Sequence, residues 1–177
     1  MHGLAARRGV RALVPACTAA AVLALAAASP APAASPRPAA QAAVRLHRLL
    51  NAVRADHGAP PVRRDRTLAR VARRHSRDMI LHRYFAHDSR SGARFSARIL
   101  RTGWARGQRH WRLGENLAWG WGRRAAPRSI VEAWMRSPAH RRILLDPGFR
   151  VVGIGIAHGT PLGPTRRGRT YTTDFGS

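Results

Sequence analysis

The order of the hydrophobic periodicities constrains this chain most: helical spacing runs from residue 39 to about 145, and strand alternation follows it. Leu46, Leu49, Leu50 and Val53 recur at intervals of three and four, which predicts a helix over 39–57. Gly58 and Pro60-Pro61 end it. Leu68, Val71, Ala72, His75 and Met79 share a face of a second helix over 65–82, and His75 within that stripe reads as a packed, hydrogen-bonded side chain. A short helix over 93–101 is closed by Gly103, and the Gly-, Trp- and Arg-rich stretch 103–122 reads as irregular or partly extended. Pro127 opens a third long helix through Ile130, Val131, Trp134 and Met135, ended by Ser137-Pro138, with another turn or two over 139–145. Strands are expected over 149–157 and 169–175, joined as a hairpin by a loose loop rich in glycine and proline. Helices first and strands later predict a sheet covered by helices, not a βαβ series.

The first thirty-odd residues stand apart from this pattern. Arg7, Arg8 and Arg11 precede the apolar run 19–28, and Ala31-Pro32-Ala33 supplies a small-x-small cleavage pattern, so residues 1–33 read as a secretory signal. That run is far short of the roughly 20 apolar residues that span a bilayer. Residues 34–41 read as a short Pro/Ala leader and 42–177 as one domain, taken as a monomer by default. Cys17, the single cysteine, falls in the signal, which excludes a disulfide scaffold. All 32 basic residues are arginine against 8 acidic ones. With the signal removed, 29 arginines remain, a charge suited to anionic cell-wall polymers or phospholipid surfaces. The arginines are spread over nearly every segment, which argues against a specific nucleic-acid stripe, and their uniformity points to genome composition.

Motifs for nucleotide binding, zinc fingers, zinc proteases and the serine-hydrolase elbow are absent. What remains is a sparse polar set: His87 after the second helix, Glu115 in GENLA (one of two glutamates), and His140 beyond the third helix. Two imidazoles and a carboxylate hold a divalent transition ion if they converge. The same groups equally make a buried hydrogen-bond network between loops. Asp88 either orients an imidazole or caps its turn, and Asn116 is placed to bind backbone in the adjoining loop. Glu132 suits an i,i+4 ion pair with Arg136. Of five tryptophans, Trp134 and Trp119 read as core; Trp121, on the same side as Trp119, is open. Trp104 and Trp111 flank an arginine-rich stretch, 106–112.

Five segments in order carry a resemblance: His75-Ser76-Arg77-Asp78-Met79, Phe85-Ala86-His87-Asp88-Ser89, Gly114-Glu115-Asn116-Leu117-Ala118, the run 131–144, and the closing Gly148-Phe149 through Tyr171-Thr172-Thr173-Asp174-Phe175-Gly176. Over residues 42–176 the chain resembles the short secreted bacterial branch of the CAP superfamily, also called the SCP domain. The resemblance implies a three-layer α-β-α sandwich, a small mostly antiparallel sheet between helices, with a central cleft lined by a His-Glu-Glu-His tetrad. His87 and His140 match the two histidines that hold a divalent ion, often zinc, and Glu115 matches the first glutamate. Ser137 stands where the second glutamate usually lies.

The resemblance also implies a secreted protein in which a binding role leads. The expected ligand is a divalent metal, a small apolar molecule in the cleft, or a partner at the cell envelope. The alternative is a metal-assisted hydrolase, of peptidase type, with His87 and His140 on the ion and Glu115 as general base. In a third reading the tetrad is a folding device.

Overall fold

The computed structural model describes residues 38–163 and 167–177. The signal over 1–33 and the start of the leader lie outside the described residues, and residues 38–41 form the first turn of a helix. The elements are α1 (Pro38–Asp56), β1 (Arg63–Arg64), α2 (Arg66–Leu81), α3 (Phe95–Leu100), β2 (Leu113–Trp121), a 3-10 turn (Gly122–Ala125), α4 (Pro127–Arg136), α5 (Pro138–Leu145), β3 (Val151–His158) and β4 (Gly168–Gly176).

The strands form one sheet in the order β1-β3-β4-β2. β1 runs parallel to β3, and β4 is antiparallel to both of its neighbours. One face carries Val152, Ile154 and Ile156 of β3 with Tyr171 and Phe175 of β4. These pack against Leu46 and Leu50 of α1 and Ile130, Val131 and Trp134 of α4, in the larger of two apolar clusters. The Trp134 indole N–H donates to Leu117 O at 2.9 Å, so the largest core side chain also fixes α4 to β2.

The other face belongs to α2. Asp65 caps that helix by accepting from Leu68 N at 2.7 Å, which is worth about 1 kcal/mol. A Cβ on Gly153 would lie 2.2 Å from Leu68 C, and one on Gly155 would lie 2.1 Å from Arg73 N. The helix backbone therefore rests directly on β3. Leu68, Val71 and Ile99, with Phe95 and Trp104, form the smaller cluster on this side. Helices on both faces of a mostly antiparallel sheet make the expected sandwich.

One expectation is sharpened and two are corrected. The stretch 103–122 contains a full strand, β2, paired with β4 from Leu113↔Gly176 to Trp121↔Gly168. Its glycines permit close packing instead of breaking the strand: a Cβ on Gly114 would lie 2.7 Å from the Phe149 ring, and one on Gly120 would lie 2.4 Å from Arg124 O. Trp119 is not core but 38% exposed, because α2 packs on β3 and β4 and leaves the far end of the edge strand uncovered. Glu132 and Arg136 are both exposed and form no ion pair among the described residues.

Candidate functional site

The site begins where α2 ends. His82 caps the helix and Arg83 takes φ 53°, a left-handed turn that reverses the chain. The Tyr84 hydroxyl donates to Asp78, and burial together with that carboxylate pushes the phenol upward from its ordinary range. His75, 1% exposed, donates from Nε2 to Ala86 O at 2.9 Å. Ala86 is the neighbour of His87, so this bond anchors the segment that carries His87.

β2 places Glu115 on the α2 side of the sheet, with its side chain fully buried. His87 Nδ1 donates to Glu115 Oε1 at 2.8 Å, and Arg98 Nη2 of α3 donates to Oε2 at 2.5 Å. Arg98 Nη1 also donates to the His87 carbonyl, closing a three-residue cycle. The hydrogen bond donated to Glu115 raises the His87 pKa above the usual histidine value, against the opposing effect of burial.

Asp174 lies opposite Glu115 in the β2–β4 register and is fully buried. No donor reaches either of its oxygens. Burial first, then the neighbouring Glu115 charge, pushes its carboxyl well above the usual range. A carboxyl raised in this way keeps its proton to higher pH, which relieves the repulsion between the two acids.

His140, on the first turn of α5, belongs to a separate pair: its Nδ1 meets Ser137 Oγ at 2.7 Å. Asn116 Nδ2 donates to His140 O at 3.0 Å, holding α5 against β2. Burial lowers the His140 pKa and the charge of His87 lowers it further, but the two histidines share no hydrogen bond. Each therefore has one ring nitrogen engaged and Nε2 left for another partner. Among the described residues, no group of three or more His, Cys, Asp or Glu is placed to hold a metal ion. Among the described residues Asp88 neither orients the imidazole nor caps a turn through a hydrogen bond; it is exposed and acts on His87 through its charge.

Beside this cycle lies a cleft of about 430 Å³, walled by Phe95, Leu113, Ile143 and Phe149, with His87 and Glu115 as its polar end. Arg112 and Arg142 also line it, and Arg112 is paired with Asp146 at 3.0 Å.

A comparison with protein families matches residues 47–164 to the CAP family, described as the cysteine-rich secretory protein family. The chain belongs to the CAP family. The matched residues of this member contain no cysteine. Among Bacillus subtilis proteins, YkwD is 36% identical over 108 residues, covering 60% of this chain and 39% of that protein. The membrane protein YlbC is 33% identical over 108 residues, covering 61% of this chain and 29% of that protein. The chain thus matches well under half the length of either relative. The crystal structure of an extracellular SCP-domain protein from Bacillus anthracis superposes with a TM-score of 0.60 at 27% identity, over 76% of this chain and 40% of that one. An outer surface protein of Borrelia burgdorferi has the same fold, with a TM-score of 0.64 at 20% identity over 77% of this chain and 92% of that one.

Sequence reasoning missed two members of the site. Arg98 is one arginine among 32, and only its contact with Glu115 distinguishes it. Asp174 did leave a signal, the one acidic residue of the last strand, but its partner is set by strand register.

Proposed function

We propose that this CAP domain is a secreted binding protein whose central cleft takes a small, largely apolar ligand with one polar end at His87. The observation that carries the reading is the cleft's composition: Phe95, Leu113, Ile143 and Phe149 give it apolar walls, and His87 is a half-exposed polar group on a lining that also holds Arg112, Arg142 and Asp146. Among the described residues no helix is long and apolar enough to cross a membrane. The extracellular and surface proteins with the same fold support an extracellular location.

The test is titration of the protein with decanoate, followed by amide NMR. Shifts confined to residues around Phe95, Ile143 and Phe149, and loss of binding in Ile143→Asp, are expected. Shifts elsewhere, or unchanged affinity in that variant, would overturn the reading.

A divalent ion at His87 and His140 is a second reading, favoured by the engagement of Nδ1 in both rings. Each would offer Nε2, with Glu115 and Ser137 orienting the rings from behind. When bound, such an ion supplies Lewis acidity. Calorimetry with zinc should show binding lost in His87→Gln and in His140→Gln; heat unchanged by both substitutions would refute it. The hydrolytic alternative is less well supported, because both Glu115 oxygens are already taken by His87 and Arg98 and its side chain is buried. A general base needs a lone pair facing its substrate or water.

A further inference from the structure

A second recess lies between α2 and α3 and shares no lining residue with the central cleft. Val71, Arg74, His75 and Asp78, spaced three and four apart, form its α2 wall. Arg98, Arg101 and Thr102 form the facing wall, and Ser89 and Ser91 of the connecting loop complete a cavity of about 460 Å³. An adjoining space of about 410 Å³ shares Asp78, Ser89 and Ser91, so the recess continues as a groove toward His82.

This groove is polar where the central cleft is apolar, and its charges are unevenly committed. Arg98 is neutralised by Glu115. Asp78 is engaged by the Tyr84 hydroxyl and by His82 at 2.9 Å. Arg74 and Arg101, one from each wall, are exposed and have no ion pair among the described residues. Two guanidinium forks are better matched to a tetrahedral oxyanion than to a carboxylate, which a single arginine saturates.

Two residues of the lining, His75 and Arg98, each also hold a buried polar atom without a partner among the described residues. His75 Nε2 donates to Ala86 O, so Nδ1 is an acceptor, and it lacks a donor. Arg98 Nε–H is a donor that lacks an acceptor. Hydroxyls satisfy both kinds of atom, donating to an acceptor such as the first and accepting from a donor such as the second. Arg74 and Asp78 are one turn apart on α2, about 6 Å along its axis, so cationic and hydroxyl-accepting groups alternate at the scale of a three-carbon polyol.

We propose that the groove is a second binding site, for a hydroxyl-bearing phosphate ester such as a polyol phosphate. The phosphate lies between Arg74 and Arg101, and the ligand's hydroxyls reach toward His75, the loop serines and Asp78.

The test titrates the protein with glycerol 3-phosphate, inorganic phosphate and glycerol, following histidine ring nitrogens by NMR. Glycerol 3-phosphate is expected to bind at least about ten-fold more tightly than inorganic phosphate, because charge-assisted and hydroxyl contacts act together. It should shift the His75 Nδ1 signal and leave His87 and His140 unmoved. The double substitution Arg74→Gln/Arg101→Gln should weaken it about ten-fold or more, and Arg141→Gln/Arg142→Gln, a basic pair outside the groove, should not. Ser91→Ala, an exposed change in the loop lining, should reduce the preference over inorganic phosphate without affecting folding. Equal affinity for the ester and inorganic phosphate, equal loss in both arginine pairs, or shifts at His87 and His140 would each overturn the proposal. Glycerophosphoglycerol distinguishes the source: tighter binding of this diester marks a polymer repeat, and tighter binding of the monoester marks a free ester.

Discussion

At the scale of single residues, the site is organised by the placing of one proton and one positive charge. Arg98 and His87 both bind Glu115, and burial beside that carboxylate pushes the Asp174 carboxyl toward its protonated form. Glu115→Gln should lower the His87 pKa toward the ordinary histidine value, measured by NMR pH titration. The sign for stability follows from the raised pKa. The contribution of His87 is fully present below the unfolded histidine value and is lost as pH rises through the folded one. Urea denaturation over that range should show the loss in the native protein and not in His87→Gln. His75 and His140, both lowered by burial, act in the opposite sense, losing their contribution as pH falls. Removing Arg98 leaves Glu115 beside Asp174 with no cation from α3. Arg98→Met should therefore cost about 3–5 kcal/mol in denaturant unfolding, far more than a surface arginine.

Among the elements, α2 is the least forgiving because Gly153 and Gly155 leave no space beneath it. Either Gly→Ala substitution forces a backbone clash and should destabilise by about 1–3 kcal/mol or more by thermal unfolding. Gly92→Ala, at φ 80° with nothing near its Cβ, is strained only by its own backbone and should cost less.

The long helices were legible in the sequence because their apolar spacing coincides with the faces they bury, as at Leu46 and Leu50 or Ile130 and Trp134. β2 was not, because Gly114 and Gly120 look like breakers when read one by one. The two-residue β1 has no periodicity to read. His87, Glu115 and His140 were recognisable from the order of their motifs. Their division into a Glu115-centred cycle and a separate His140–Ser137 pair depends on packing between elements far apart in sequence.

Taken whole, the molecule is a strongly basic body whose arginines are mostly solvent-facing. Binding to vesicles containing anionic phospholipid should weaken steadily as salt rises from about 0.05 to 0.5 M, since screening shortens the reach of exposed charges. Binding unaffected by salt in a flotation assay would show that arginine charge is not its origin.

The sheet order has a consequence for biosynthesis. β4 follows every other described element in sequence, yet it is flanked by β3 and β2 and supplies their shared hydrogen bonds. Until β4 is synthesised, β2 lacks its only strand neighbour among the described residues, and α2 lacks part of the surface on which it rests. A nascent chain therefore cannot close this sheet until its last described strand has been made.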